Sequence, residues 1–492
     1  MKTLGLEMID AGFEVAVGRS PQSGHRATAE RLVPPGTVPA LVLWDGSSMH
    51  FGQAAEARRF LFPKQTSDVF WEELSLAPSN LLQAGRQLSY SELAYHFVRN
   101  LVDGLPGVAS EHESLVVAVS PSVIDGGKRA EERIGILLGI CDDLELKLSG
   151  VVDATCAALL DPEAAPPSRG TVLVVDLCLQ AATLSVVDLG ANISRQASSR
   201  IAGAGWMAVV EAARRTLADR FLRQTSFDVA ADRNMEQAFH LETLAALHTF
   251  TTQPEAWLRV VSGARERAIS VSRDGFVADL RAYSEAIAQG AKETLSRMGL
   301  SLSGVQVYLT ARARHVCGLA KALRANGAIA VSVLTAGAAA RGASVLACHR
   351  QRPESIEDVT VESSITPPDQ THDPMASLQA VFAFKRHVGK RDSRPTHIVV
   401  DGLAHPLRPG GVRIAAGGSK GDRDLVVEST PPGLGPCEIV LEDVEGHWSA
   451  AATISGQRVP LPGGDVALAA GDVLEVHGSP ATARVQFVRL VR

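Results

Sequence analysis

The sequence has no long apolar run and very little chain ahead of its first predicted strand. No stretch approaches the roughly 18 apolar residues that a membrane-spanning helix needs, so we predict no membrane span. Residues 1–3 alone precede that strand, which leaves no space for a signal peptide. Both absences favour a cytoplasmic protein.

Cysteine is scarce, and the metal-ligand spacings built from cysteine or histidine are missing. No Cys-x-x-Cys pair and no His-Glu-x-x-His set occurs, so we expect reduced, mostly buried thiols and no metal site. The six cysteines are Cys141, Cys156, Cys178, Cys317, Cys348 and Cys437.

Neither sign of charge dominates the chain. The 48 Lys and Arg residues against 54 Asp and Glu residues give a net charge of −6, with both signs interspersed. This pattern predicts no nucleic-acid-binding or membrane-binding surface. What the chain does have is length: 492 residues exceed what one hydrophobic core usually supports, so we expect two or three folding units.

Three strand-and-turn segments stand out in the first 350 residues. Residues 4–17 and 171–190 each predict a hairpin, the second from two β-branched runs around a tight reversal. Residues 305–312 predict a strand that leads into a helical stretch from His315 to Leu323. A small-residue segment at 336–347 follows.

The order and spacing of these segments resemble the 70-kDa heat-shock (DnaK-like) chaperones, members of the actin-like ATPase superfamily. Three further stretches carry the resemblance: residues 115–124 with their following helix, residues 151–159, and residues 265–272, which match a helix of that family. The resemblance implies an α/β two-lobed actin-like ATPase fold over residues 1–350.

The residues that hold nucleotide in that family are largely replaced in this chain. The first hairpin turn, D-x-G-T-T in the family, matches Glu7, Ile9, Asp10 and Ala11, and the family's catalytic lysine falls at Glu73. The second turn, D-L-G-G-G-T, reads Asp176-Leu177-Cys178-Leu179-Gln180-Ala181. Glycine lets backbone approach phosphate closely, so we expect Leu179 and Gln180 to close the cradle.

The resemblance still assigns positions to a vestigial site. The adenosine-binding motif reads Thr310-Ala311-Arg312-Ala313-Arg314, and Arg314 is its expected relic. Relic catalytic candidates are Glu7, Asp153 and Asp176, and vestigial nucleotide-binding candidates are Asp10, Gly12, Gly203, Arg314 and Gly342. Without the resemblance, these acids could equally be solvated carboxylates at strand ends, and the Gly-x-Gly at 203–205 an ordinary turn.

Charge predicts loss of ATP hydrolysis. We expect Glu7, Asp10, Asp153 and Asp176 to converge without the lysine, and a triphosphate placed there would be repelled unless metal ions intervened. Phosphoryl transfer depends on positioning and charge stabilisation, both of which such a site lacks. No cofactor is expected; ATP and magnesium would bind if the nucleotide site still functions.

The composition changes after residue 350. Residues 351–395 are polar and proline-rich, which predicts a linker, with one possible short helix at 375–388. Residues 396–492 show short alternating runs separated by Gly, Pro and Asp turns, typical of a small β-sandwich. Their order resembles a forkhead-associated domain whose phosphothreonine-reading residues are replaced. Lys420, Arg423 and Arg458 are the remaining phosphate-binding candidates there, or exposed turn charges.

Two function classes follow. The first is a non-catalytic chaperone-like scaffold or regulatory interaction protein with a pseudo-ATPase domain, whose partner is a protein, another chaperone-like ATPase being one candidate. The alternative is an ATP-dependent DnaK-like chaperone ATPase in which Asp176, Glu7 and Asp153 hold metal and water.

Overall fold

Two antiparallel hairpins, one at the start of the chain and one around residue 180, each begin a six-stranded sheet in the computed structural model of this protein. The chain divides into two compact units, Met1–Pro368 and Asp369–Arg492. The structure describes residues 2–19, 28–31, 38–83, 85–105, 112–161, 163–164, 166, 169–263, 265–367, 382–385, 395–400, 403–406, 412–416, 424–427, 437–444, 447–454, 457–460, 470, 472–476 and 483–488.

The first unit is mixed α/β. Its strands are β1 (Lys2–Ile9), β2 (Gly12–Arg19), β3 (Thr28–Arg31), β4 (Val42–Trp44), β5 (Met49–Phe51), β6 (Thr66–Ser67), β7 (Pro78–Gln83), β8 (Arg86–Ser89), β9 (Ser114–Val119), β10 (Leu148–Asp153), β11 (Gly170–Leu177), β12 (Ala181–Leu189), β13 (Ile193–Ala202), β14 (Glu255–Ser262), β15 (Arg265–Ser272), β16 (Gln306–Leu309), β17 (Val331–Val333), β18 (Val361–Glu362) and β19 (Ser364–Ile365).

Helices connect these strands. Those described are α1 (Gln53–Glu56), α2 (Tyr90–Asp103), α3 (Pro121–Ile124), α4 (Lys128–Asp143), α5 (Ala154–Leu160), α6 (Trp206–Thr225), α7 (Arg233–Thr249), α8 (Arg273–Asp279), α9 (Arg281–Arg297), α10 (Leu319–Ala325) and α11 (Ala338–Ala347). Several begin at a side-chain cap: Ser89 forms a capping box with Glu92, and Asp153 accepts from two backbone amides of α5.

The two large sheets are built to the same plan. In the first, the order is β18-β10-β9-β1-β2-β3; in the second, it is β17-β16-β11-β12-β13-β19. Each contains an antiparallel three-strand meander, β1-β2-β3 or β11-β12-β13. On the other side of the meander's first strand, the sheet is extended by two strands that run parallel to it. The predicted hairpins at 4–17 and 171–190 are confirmed. The repeated strand order divides the first unit into a first half (residues 2–160) and a second half (residues 170–347).

The two halves share a buried core. One apolar cluster joins strand residues of both sheets, such as Val116 and Val172, to Ala157 of α5 and Ala343 of α11. At the contact between these two helices, a Cβ on Gly342 would lie 1.8 Å from the carbonyl oxygen of Ala157. The residue must therefore be glycine for the helices to approach this closely.

The last strands of the unit add to both sheets. Val361 of β18 pairs with Val151 of β10, and Ile365 of β19 pairs with Ile193 of β13. Ile365 is fully buried. This part of the segment expected to be a linker, 351–395, is therefore built into the first unit, where its two short strands extend the edges of the two large sheets.

Residues 265–272 differ from the expectation of a helix. They form β15, paired with β14 along its whole length from Glu255↔Ser272 to Ser262↔Arg265. The strand forms because Ile269 and Val271, two residues apart, both point into the core, which is the period of a strand.

The described part of the second unit consists of β-strands. They are β20 (Phe382–Lys385), β21 (His397–Val400), β22 (Leu403–Pro406), β23 (Val412–Ala416), β24 (Asp424–Val427), β25 (Cys437–Val444), β26 (His447–Ile454), β27 (Gln457–Pro460), β28 (Val473–Val476) and β29 (Ala483–Val488). They form two five-stranded sheets, β20-β28-β29-β21-β22 and β24-β23-β25-β26-β27. The all-β pattern predicted after residue 396 is confirmed for these residues.

The short helix expected at 375–388 is wrong at residues 382–385, which form β20 and pair with β28. The alternation Phe-Ala-Phe-Lys suits a strand. The remaining positions of that helix lie outside the described residues, as do Lys420 and Arg423.

Candidate functional site

One buried arginine joins the two hairpins. Arg312 Nη2 donates to Glu7 Oε1 of β1 at 2.5 Å and to Asp176 Oδ2 of β11 at 3.1 Å. Its Nε also lies 3.3 Å from Asp176 Oδ1. Glu7 is 3% exposed and Arg312 and Asp176 are each 9% exposed, so three charges are held almost out of water.

The backbone of three strands fixes this geometry. Glu7 and Asp176 lie in corresponding first strands of the two meanders, and β16, parallel to β11, leads directly to Thr310 and Arg312. The Thr310 hydroxyl donates to Asp176 Oδ1 at 2.6 Å, and Leu177 N donates to the same oxygen at 2.8 Å. Asp176 is thus held by a hydroxyl, an amide and a guanidinium.

The two acids respond differently to the shared arginine. Burial raises the pKa of Glu7 to about 7, against the opposing effect of Arg312. Burial also disfavours ionisation of Asp176, but Arg312 and the Thr310 hydrogen bond outweigh it, and its pKa is lowered. Asp176 is therefore the carboxylate that balances Arg312 most readily, while Glu7 ionises less readily than an ordinary glutamate.

The hairpin turns are also joined directly. Asp10 Oδ1 accepts a hydrogen bond from Leu179 N at 3.0 Å, across 169 residues of sequence. Leu179 is 1% exposed. The backbone amide of Leu179 is thus already paired with a carboxylate of the same chain. Burial raises the pKa of Asp10 to about 6, with the Leu179 hydrogen bond acting against it.

The space beside Arg312 is small. The cavity lined by Glu7, Asp176, Thr310 and Arg312 has a volume of about 20 Å³. A cavity needs roughly 10–15 Å³ on this measure to hold one water, so the closed space beside Arg312 has room for about one water. Arginine and aspartate side chains occupy the position where the two hairpins meet.

A second pair of oppositely charged side chains, Glu14 and Arg31, lies beside the same cavity. Glu14 is 1% exposed, and its Oε2 is 2.7 Å from Arg31 Nε. The two atoms are not aligned for a hydrogen bond, so the attraction between Glu14 and Arg31 is purely electrostatic. Burial raises the pKa of Glu14 in spite of Arg31.

The remaining predicted site residues do not join this cluster. Asp153 caps α5 through Thr155 N at 2.8 Å and pairs with Arg195 Nε at 2.6 Å. Arg314, the expected adenosine relic, is exposed and donates to the carbonyl oxygen of Thr251. The predicted convergence of four acids without a cation is therefore wrong: Glu7 and Asp176 meet, and Arg312 lies between them.

The predicted glycines have separate places. Gly12 begins β2 and pairs with Ile9 across the first turn. Gly203 has a positive φ of 71° with open space at its Cβ position, and its amide donates to the carbonyl oxygen of Gln180. Gly342 lies in the α5–α11 contact. Glu73, the expected position of the lost lysine, is exposed.

The halves also touch through α7. Gln237 Oε1 accepts from Phe60 N at 2.9 Å, and Gln237 Nε2 donates to the carbonyl oxygen of Glu56 at 3.0 Å. His240 Nε2 bonds the Glu56 carboxylate. Burial disfavours ionisation of Glu56, yet its hydrogen bond to His240 and nearby Arg59 lower its pKa. The α7 contacts thus tie the first half to the second away from the hairpins.

Sequence reasoning missed Arg312. The motif at 310–314 contains two arginines, and the resemblance favoured the second. The sequence did contain a signal for a buried cation. Two acids on strands whose neighbours are apolar are expected to be buried, and buried acids need a cation nearby.

The sequence matches no protein-family model and no curated protein. Within the described ranges, no group of three His, Cys, Asp or Glu side chains is arranged to hold a metal ion. Among the same residues, no helix is both long and apolar enough to cross a bilayer.

Proposed function

We propose that this chain is a non-catalytic, chaperone-like interaction protein in which an internal salt bridge takes the place of a nucleotide. The observation that carries the proposal is the position of Arg312, bonded to Glu7 and Asp176 between the two hairpins. In an ATPase, a cation at such a place would come with the ligand or act on it. Here both of its acidic partners belong to the chain.

The proposed fold of the first unit is the two-lobed actin-like ATPase fold of the 70-kDa heat-shock type. The repeated strand order of the two large sheets supports it, since that superfamily is built from two related halves. The close contact of α5 with α11 supports it as well, because each helix follows the last parallel strand of its own half.

Three features argue against phosphoryl transfer. The cavity at the hairpins holds about 20 Å³, the Leu179 amide is paired with Asp10, and the lining acids are paired with Arg312. Catalysis of this reaction requires a positioned phosphate and a cation that is free to stabilise its charge. A triphosphate would have to displace Arg312 from two buried carboxylates, which leaves those charges unpaired.

The role that remains is protein binding. The second unit, with its two five-stranded sheets, supplies a second folded body on the same chain. We propose that it is a degenerate forkhead-associated-like module and that the whole chain is a cytoplasmic scaffold or regulator for a protein partner, another chaperone-like ATPase being the first to test.

The test is binding of ATP with magnesium to the full-length chain, measured by calorimetry and by thermal shift. The expected result is no heat of binding and no change in melting temperature. A rise in melting temperature that Asp176→Ala abolishes would overturn the proposal and support the alternative, an ATP-dependent chaperone with an atypical site. Asp219→Ala serves as the matched control, because this aspartate lies on the exposed surface of α6 and belongs to no candidate site.

A further inference from the structure

A larger cavity lies beside the hairpin turns, separate from the small one beside Arg312. The two turns contribute Asp10 and Cys178 to its wall, while α4 and β13 contribute Arg133 and Arg200. Its volume is about 200 Å³. An apolar protein cavity of about 150 Å³ holds benzene, so a ligand of roughly five to nine non-hydrogen atoms fits here.

Most polar groups of this cavity already have partners within the chain. Arg200 pairs with Glu72, and Asp125 accepts two hydrogen bonds of 2.8 Å from Arg195. Several hydroxyls of the lining are also hydrogen-bonded: Ser120 with Ser122, Thr183 with Cys178, and Ser198 with Asp125. A ligand that interacted with these groups would compete with bonds that exist without it.

Asp10 is the acid of the lining that lacks a counter-charge. Its side chain is 7% exposed, and its Oδ1 accepts a hydrogen bond from a neutral donor, Leu179 N, at 3.0 Å. No cationic side chain among the described residues forms a salt bridge with it. Burial raises the pKa of Asp10 to about 6, and the nearby Glu72 carboxylate adds to this effect. Since an unpaired buried carboxylate is costly, a cationic group held in the cavity would be stabilised by Asp10.

Arg133 is the cation of the lining that lacks a counter-charge. This half-buried residue of α4 donates from Nη1 to the carbonyl oxygen of Ser122 at 2.8 Å and from Nη2 to that of Glu72 at 2.6 Å. No carboxylate in the described part of the chain pairs with it. A guanidinium has further N–H donors, arranged in a planar fork that suits a carboxylate. An anionic group in the cavity would therefore find donors at Arg133.

These two groups of opposite charge border the same space. Glu72 links them, because its carbonyl oxygen is bonded to Arg133 and its carboxylate is close enough to Asp10 to affect that residue's pKa. Pro121 and Val123 add apolar surface to the lining. Small-molecule sites combine apolar walls with a few polar groups that fix the orientation of the ligand.

We propose that this cavity binds a small zwitterion of the amino-acid class. The ammonium group of the ligand pairs with Asp10, its carboxylate pairs with Arg133, and its short carbon chain packs against Pro121 and Val123. A neutral ligand would leave both charges unbalanced, and a simple cation or anion would balance one of them. The inference goes beyond the proposed function and does not rest on it, because neither the Arg312 salt bridge nor the loss of ATP hydrolysis enters it.

The experiment titrates the full-length chain by calorimetry at pH 8, above the pKa of Asp10. The probes are glycine, β-alanine, 4-aminobutyrate and 5-aminopentanoate, whose two charges lie progressively further apart. We expect at least one of them to bind with a Kd of about 1 mM or tighter. Its analogue without the amino group and its analogue without the carboxylate should each bind at least about tenfold more weakly, because each loses a charge-assisted hydrogen bond.

Two variants assign the ends of the ligand. Asp10→Asn keeps an oxygen for Leu179 N but removes the charge, so the preference for the amino acid over its amine-free analogue should disappear. Arg133→Gln keeps an N–H donor and should abolish the preference over the carboxylate-free analogue. Arg129→Gln, an exposed position of the same helix outside the cavity lining, should change neither preference.

Three results would overturn the proposal. The first is no binding of any probe at about 20 mM to protein whose circular dichroism shows it folded. The second, which needs no variant, is an amine-free or carboxylate-free analogue that binds as tightly as the amino acid. The third is a preference for the amino acid that survives both Asp10→Asn and Arg133→Gln.

Discussion

Arg312 balances two buried acids with one side chain, and its loss should be costly. Replacing it with methionine keeps most of the side-chain volume but leaves Glu7 and Asp176 without a cation. Removing one partner of a buried ion pair costs about 3–5 kcal/mol, so we expect Arg312→Met to lower the free energy of unfolding by that amount at pH 8.

Urea denaturation measures this difference, and Arg314→Met is the matched control. Arg314 is exposed and makes one hydrogen bond to a backbone carbonyl, so its replacement should change stability by less than about 0.5 kcal/mol. Equal effects of the two substitutions would contradict the bridging role of Arg312.

Glu7 should make the protein less stable as the pH rises. Its pKa is raised from 4.5 to about 7 in the folded state, so the folded chain binds more protons than the unfolded chain between these values. Stability contributed by Glu7 is therefore fully present below pH 4.5 and lost as the pH rises through 7. The full loss corresponds to about 3 kcal/mol.

Glu7→Gln removes that titration while leaving an oxygen for Arg312. The stability of the natural chain minus that of the variant, measured by urea unfolding at pH 5, 6, 7 and 8, should fall by up to about 3 kcal/mol across the series. Asp10, whose pKa is raised to about 6, is present in both proteins and cancels in the difference. A difference that is constant or rises with pH would mean that Glu7 is ionised throughout.

The resemblance to the heat-shock chaperones identified the acids of the site but not their cation. Glu7 and Asp176 stand at corresponding places in two hairpins, which the sequence reveals through its β-branched runs. Arg312 and Arg314 are chemically identical and two positions apart. The choice between them is made by the turn after β16, in which Arg312 directly precedes a short 3-10 helix at 313–315 and is buried, whereas Arg314 within that helix is exposed.

Among the elements, the α5–α11 contact depends on a missing side chain. A Cβ at Gly342 would meet backbone atoms of Ala157, which cannot rotate away. We expect Gly342→Ala to separate the helices and lower the free energy of unfolding by about 1–3 kcal/mol, the usual range for overpacking.

Gly139→Ala is the control for the Gly342 prediction. Gly139 lies in α4, is exposed, and has open space around its Cβ position. Because alanine favours the helix over glycine, this change should stabilise the protein by about 0.5–1 kcal/mol. Thermal unfolding followed by circular dichroism compares the two variants. If both substitutions stabilised the protein, the α5–α11 contact would have space for a methyl group at position 342.

At this scale, local pattern predicted the two hairpins correctly, whereas the helix expected at residues 265–272, which came from the resemblance, is wrong. The hairpins at 4–17 and 171–190 carry their own period-two signal. Residues 265–272 also carry one, through Ile269 and Val271, and the expectation of a helix set it aside. The strand order of the sheets depends on parallel pairings such as β1 with β9, more than 100 residues apart, which local pattern does not encode.

At the scale of the whole molecule, residues 356–365 complete the first unit by adding a strand to the edge of each large sheet. Their strands pair with β10 of one sheet and β13 of the other, and Arg195 N donates to the carbonyl oxygen of Ser363. A chain of residues 1–368 should therefore fold alone and match the first unit's unfolding transition in the full chain.

A shorter chain of residues 1–347 tests this closure. It lacks the buried Ile365 and the edge hydrogen bonds, so it should be less stable than the 1–368 chain by about 2–5 kcal/mol. Urea unfolding followed by circular dichroism gives both values. Equal stability of the two chains would mean that the segment contributes nothing to the fold.

The salt bridge between the hairpins has a consequence for timing. A nucleotide binds, is hydrolysed and dissociates, so it limits how long a protein stays in one conformation. An arginine that belongs to the chain never dissociates. If a partner recognises the arrangement that Arg312 maintains, that signal is permanent for as long as the chain is folded. Control over it then rests on how much of the protein the cell makes and how quickly it is removed.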